Sequence, residues 1–132
     1  MKKGILPDYR KKQQLLYTEK RSANELIACG DDFLENGRLS DAVEFFQKAN
    51  HQAGLASLKE KAMETGDTML LVQVCRALNQ PPTEEDWRLT GEHARELKKY
   101  RFAIEALQKS GQEELLQAVR ELIKAEGNEA SR

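Results

Sequence analysis

The sequence predicts an all-α protein built as an α-solenoid: a succession of short antiparallel helix pairs, about seven helices counting an N-terminal arm and a C-terminal cap helix. Three observations carry that prediction. Apolar residues recur with a period near 3.6 through the long segments. Helix start and stop residues divide those segments at short intervals. No segment shows the sustained period-2 alternation of a half-buried strand.

Composition narrows the class further. The chain has 132 residues, 33% charged and 39% hydrophobic, which suits one domain or a short stacked array and excludes two separate cores. Lys and Arg number 21 against 22 Asp and Glu, so a wholesale nucleic-acid coat is not expected. The balance is uneven along the chain. Residues 1–21 hold Lys2, Lys3, Arg10, Lys11, Lys12, Lys20 and Arg21 against only Asp8 and Glu19. A basic arm therefore precedes an acidic body.

Nothing approaches the ~18 consecutive apolar residues of a membrane span. The opening Met1–Leu6 begins like a signal peptide, but its apolar run stops after Ile5-Leu6. The closing Glu129-Ala130-Ser131-Arg132 carries no lipidation signal. A cytoplasmic protein is expected. Cys29 and Cys75 sit in apolar helical patterns without a CxxC pair, and read as buried, reduced thiols. No metal and no cofactor is expected.

The arm comes first. After Pro7, residues 8–21 suit a helix, with Tyr9, Leu15, Leu16 and Tyr17 as a narrow stripe. Three readings stay open: a lead-in helix on the first unit, a segment lying in an acidic groove of its own or another copy, or a basic contact to nucleic acid or an anionic surface.

Ser22-Ala23-Asn24-Glu25 then forms a capping box and starts a helix at Ala23. Its apolar residues are Leu26, Ile27, Cys29, Phe33 and Leu34, and Asn36-Gly37 stops it. A second helix runs from about Ser40 on Ala42, Val43, Phe45, Phe46 and Ala49, closed by Asn50-His51. The next pair spans 54–65 and 68–78, divided by Gly66-Asp67 and ended by Asn79-Gln80-Pro81-Pro82. Thr83 and Asp86 form a weaker box before a helix of residues 84–98 carrying Trp87, Leu89, Ala94 and Leu97. After a break at Lys99-Tyr100, residues 102–109 follow. Ser110-Gly111-Gln112-Glu113 reads as another capping box, opening a last helix of residues 113–125 that Glu126-Gly127-Asn128 ends, with a frayed tail over 127–132.

Two stretches share one frame. Leu26, Cys29, Gly30, Phe33, Gly37, Leu39, Ala42, Phe46 and Ala49 correspond to Trp87, Thr90, Gly91, Ala94, Lys98, Tyr100, Ala103, Leu107 and Ser110. Gly30 and Gly91 let the two helices of a pair approach closely, as do Ala42 and Ala103 from the second helix. Trp87 and Phe33 are expected between a pair and its neighbour. The intervening unit is degenerate: Lys59 stands where the glycine belongs and Thr68 where a large apolar residue belongs. The spacing resembles the tetratricopeptide repeat, with units of about 23–50, 52–80 and 84–110 and the cap at 113–126.

The resemblance implies protein interaction through a concave groove lined by the first helix of each pair. The matching positions are Asn24, Ile27, Asp31, Leu34 and Glu35; then Ala53, Ala56, Glu60, Met63 and Glu64; then Glu85, Arg88, Glu92, Arg95 and Glu96. Acids recur as Asp31/Glu35, Glu60/Glu64 and Glu92/Glu96, which favours a basic or amphipathic peptide with Ile27, Leu34 and Met63 as apolar contacts. The family's Lys, Asn and Arg clamp for chaperone carboxylates is matched only by Asn24, so that ligand class is not expected. The partner is expected to be a protein or peptide. Nucleic-acid association through the arm is the alternative, and self-association through the arm or last helix stays open.

Catalysis is not expected. His51 ends a helix and His93 sits in a surface pattern, and the HExxH, GxSxG, phosphate-loop and Rossmann signatures are all missing. Asp31-Asp32 and Glu84-Glu85 are consecutive, so on a helix they point about 100° apart. Lys98, Lys99 and Arg101 cluster at a turn, where cations suit a helix C-terminus for dipole reasons alone.

Overall fold

The computed structural model describes residues 8–18 and 21–130. The sequence expectations for Lys2, Lys3, Glu19, Lys20 and residues 131–132 lie outside the described residues. Among those described, the chain is all-α. Helix α1 spans Tyr9–Gln13 and runs on as a π-helical turn, Gln14–Thr18. Then come α2 Ala23–Glu35, α3 Leu39–Lys48, α4 Gln52–Glu64, α5 Thr68–Leu78, α6 Glu84–Glu96, α7 Tyr100–Lys109 and α8 Glu113–Ala130. Eight α-helices are thus present among the described residues, against about seven expected.

Helices α2 to α7 end in one recurrent way. Gly37, Asn50, Gly66, Asn79, Lys98 and Gly111 all have positive φ, between 55° and 76°. At each, the next residue donates its N–H to the carbonyl five residues back: Arg38 to Phe33, His51 to Phe46, Asp67 to Ala62, Gln80 to Cys75, Lys99 to Ala94 and Gln112 to Leu107, at 2.8–3.1 Å. This is the Schellman closure, which satisfies carbonyls that the helix itself leaves open. The acceptors Phe33, Ala62 and Ala94 fall 29 and 32 residues apart in sequence, and so do Phe46, Cys75 and Leu107.

Three expected boundaries are corrected. Ser110 does not cap α8: its hydroxyl donates to Leu107 O at 3.1 Å, and Glu113 N–H donates to Gly111 O. Ser110 instead ends α7. Helix α8 continues through Gly127 to Ala130, because an exposed interior glycine costs a helix only about 1 kcal/mol relative to alanine and need not stop it. Helix α7 starts at Tyr100 rather than Phe102.

The chain divides into two compact units, Met1–Leu58 with Gln73–Gln80, and Lys59–Val72 with Pro81–Arg132. In the first, α2 crosses α3 at Gly30. A Cβ there would lie 2.5 Å from Phe46 Cε1, so the ring occupies the space that a side chain would take. Phe33, expected between pairs, stacks on Phe45 within its own pair at 5.1 Å, with the Arg38 guanidinium 4.9 Å from its ring centre. Ser40 Oγ donates to Gln73 Oε1 at 2.8 Å, and Gln73 Nε2 donates back to Ser40 O at 3.0 Å, tying α3 to α5. The arm packs on α3 through Lys12 and Leu16, both buried.

In the second unit, Gly91 repeats the role of Gly30. A Cβ on it would meet Leu107 at 2.8 Å and Ala106 at 3.3 Å. Trp87 lies toward the other end of the same crossing, with Lys109 Nζ 4.6 Å above its ring. Residues 87 and 91 thus face 109 and 107 in reverse order, so α6 and α7 are antiparallel. A core of Ala94, Ala103, Leu107, Leu116 and Val119 joins α6, α7 and α8. Tyr100 Oη donates to Glu126 at 2.7 Å and fixes α8 along α7.

Candidate functional site

The expected groove positions are considered helix by helix. On α2, Ile27, Asp31 and Leu34 are half-buried, while Asn24 and Glu35 are exposed. They recur at three- and four-residue steps and so share one side of the helix. Ser22 fixes the start of that row: its hydroxyl accepts from Glu25 N–H at 3.2 Å and donates to the Glu25 carboxylate.

In the second unit, three contacts align the C-terminal half of α4 with α6. Lys59 Nζ lies 2.9 Å from Asp86 Oδ2. Met63 O accepts from His93 Nδ1 at 2.9 Å, which requires the proton on that nitrogen. Gly66 abuts Ala94, whose Cα would lie 2.5 Å from a Cβ on the glycine. Residues 59, 63 and 66 meet 86, 93 and 94 in the same order, so the two helices run in the same direction. Just beyond, Lys99 Nζ donates to Thr65 O at 2.5 Å. His93 and Lys99, read from sequence as ordinary surface, are thus structural ties.

These contacts place Glu60, Met63 and Glu64 on a helix beside the one that carries Arg88, Glu92, Arg95 and Glu96. Glu60 and Glu64 are exposed and form no ion pair among the described residues. Along α6 the arrangement differs. Arg88 donates through Nε to Glu85 at 2.9 Å and through Nη1 to both Glu92 oxygens at 3.0 Å, and Nη2 also meets Glu85. The hydrogen bond from Arg88 holds the Glu85 carboxyl below the usual glutamate range. Glu85, in turn the largest influence on Arg88, raises the guanidinium pKa. The acid ladder expected from sequence is therefore uneven. Glu92 shares Arg88 with Glu85, and the expected groove acids of this unit without an ion pair among the described residues are Glu60, Glu64 and Glu96. The signal was present in the sequence as Glu85, Arg88 and Glu92 at i, i+3 and i+7.

The arm residues expected to meet phosphate are partly engaged. Lys12 Nζ sits 2.5 Å from both Asp41 Oδ1 and Glu44 Oε2, and Arg21 pairs with Glu25 at 3.2 Å. Burial opposes the charge on Lys12, but Asp41 and Glu44 outweigh it and raise the lysine above its ordinary value. Cys75 is buried as expected, whereas Cys29 is only half-buried. Burial, followed by the nearby Asp32 charge, pushes the Cys29 thiol up and away from thiolate chemistry. Among the described residues, no three His, Cys, Asp or Glu converge as a metal site, and no helix is long and apolar enough to cross a membrane.

Comparison with known proteins adds no relative: no protein-family model matches the chain, and neither do the curated proteins or the solved structures.

Proposed function

We propose that the chain is a non-catalytic protein-interaction module, a tetratricopeptide-like solenoid that holds a basic, amphipathic peptide against its acidic first-helix faces. The carrying observation is the shared direction of α4 and α6, with Glu60 and Glu64 exposed and without an ion pair among the described residues. Alternate helices that run in one direction, joined by antiparallel partners, are what a stack of helix pairs produces. Two further features support the repeat. Gly30 and Gly91 make the same crossing, 61 residues apart, and the Schellman acceptors recur at the repeat steps.

A ligand in this reading places cations at Glu60, Glu64 and Glu96 and an apolar side chain at Met63. Arg88 adds no net repulsion, because Glu85 and Glu92 flank it. The arm-based nucleic-acid reading draws no support from Lys12 or Arg21, which are engaged with carboxylates.

The test uses Glu60→Lys/Glu64→Lys and a fluorescent helical peptide made only of Lys, Leu and Ala. The reading expects the double variant to lose about tenfold or more in affinity while keeping wild-type helicity. Equal affinity for both proteins would sink it.

A further inference from the structure

The arm covers a seat on α3 whose chemistry is explicit. Asp41 and Glu44 lie about one turn apart, and both reach Lys12 Nζ at 2.5 Å. Leu16 follows four residues after Lys12 and is 2% exposed, against 7% for Lys12. The flanking Tyr9 and Tyr17 are 76% and 66% exposed, so of these four side chains only one cation and one apolar group enter the seat. Its length gives it little stability of its own. Five α-helical residues and a π-helical turn fall well short of the ~12–15 at which an isolated helix becomes marginal.

The arm also underfills its seat. Beside Leu16 and Tyr17 lies an open cavity of about 370 Å³, completed by Glu44, Gln47 and Lys48. A side chain larger than leucine at the position of Leu16 has room to extend into it, burying more apolar surface at the same ion-pair geometry.

We propose that this seat on α3 is a docking site for a basic amphipathic helix of a partner protein, bearing Lys or Arg followed four residues later by a bulky aromatic side chain, and that the arm is its built-in competitor. Charge complementarity selects the cation, since without the arm Asp41 keeps only Arg38, at 2.7 Å, and Glu44 loses Lys12. The cavity selects the aromatic. Because the arm is tethered, it competes at an effective concentration in the mM range. A partner must therefore outbid it through the extra buried surface, and a poorly matched helix is kept off. The seat shares no residue with the Glu60/Glu64 face, so the two readings stand or fall apart.

The probe is a fluorescein-labelled peptide with the sequence of residues 8–18 carrying Trp in place of Leu16, titrated by anisotropy into full-length protein. Lys12→Glu/Leu16→Ala unlatches the arm, and this chain is expected to bind the probe about tenfold or more tighter than wild type does. Adding Glu44→Ala should abolish that gain, and adding Glu60→Lys/Glu64→Lys should leave it intact. If the double variant loses helicity, Lys12→Glu alone gives the same readings, since its new carboxylate faces Asp41 and Glu44. Equal affinity for wild-type and unlatched chains overturns the proposal. So does a gain that survives Glu44→Ala, or one that Glu60→Lys/Glu64→Lys removes.

Discussion

Lys59 Nζ lies 2.9 Å from Asp86 Oδ2, and the pair joins α4 to the first turn of α6. Asp86 already accepts from Thr83 N–H at 3.0 Å, while Thr83 Oγ1 accepts from Asp86 N–H at 3.0 Å. One carboxylate therefore closes a capping box and takes a cation from another helix. In the repeat frame Lys59 stands at a glycine slot, where a close crossing would otherwise form. In the proposed repeat, the middle unit uses that slot for an ion pair instead. Lys59→Met, which keeps the aliphatic stem, is expected to cost up to about 1 kcal/mol, and Asp86→Ala about 1–2 kcal/mol because it also breaks the box. A double-mutant cycle by urea denaturation should show a coupling near 0.5–1 kcal/mol. Strict additivity would mean that the contact contributes nothing.

The same carboxylate sets a pH dependence. Burial raises the Asp86 pKa, but the Thr83 backbone and Lys59 more than reverse it, leaving the folded value below the ordinary one. A depressed aspartate stabilises the fold fully above its unfolded value of about 3.9. That contribution fades as pH falls through the folded value, because the unfolded chain then binds the extra proton. Asp86→Asn should flatten the acid limb of the stability curve below about pH 4. Parallel curves for wild type and variant in that range would contradict the assignment.

Glycine substitutions should rank by what a Cβ meets. Gly66 has φ +66° and would strike the Ala94 backbone at 2.5 Å, so Gly66→Ala combines backbone strain with a clash that no rotamer relieves. Gly30→Ala and Gly91→Ala press on side chains, Phe46 at 2.5 Å and Leu107 at 2.8 Å, and should cost about 1–3 kcal/mol. Gly37→Ala has nothing within 4 Å and should cost only about 1 kcal/mol for its left-handed φ. Thermal melts of the four variants test the order. Gly37→Ala proving the worst would refute it.

These glycines also show which features are legible in a sequence. Gly30, Gly91, Gly37 and Gly66 are readable because the need is local, a close crossing within one helix pair or a left-handed turn, whereas the approach of Gly66 to Ala94 is not. Ser110 misleads for a related reason. Ser-x-x-Glu has the same spacing whether the serine caps the next helix or ends the previous one, and Gly111 at φ +72° decides for the latter. Lys59 and Asp86 are 27 residues apart, so their contact depends on packing that no local pattern encodes. The arm's seat is hidden likewise: Lys12 and Asp41 are 29 residues apart. Of the candidate site, the i, i+3, i+7 row of Glu85, Arg88 and Glu92 on one helix could be read. What the acids face could not, because Arg88 is an acceptable groove residue until its contacts with Glu85 and Glu92 are seen.

Lys98 offers a last test, in the stabilising direction. It is the one non-Asn, non-Gly residue among the six positive-φ helix ends, at φ 61°. A lysine there bears the Cβ–carbonyl crowding that glycine avoids, at about 1 kcal/mol. Its compensation is slight: Nζ lies 3.8 Å from Glu126 Oε1, with the side chains 74% and 42% exposed. An exposed pair of that kind contributes little. Lys98→Gly should therefore stabilise the chain by several tenths of a kcal/mol, net of the glycine's greater freedom when unfolded, and raise the melting midpoint by a few degrees at most. Lys98→Ala is the control, because it removes the ion pair but keeps the Cβ and should not stabilise. If both variants behave alike, backbone strain at this helix end is not what limits the turn between α6 and α7.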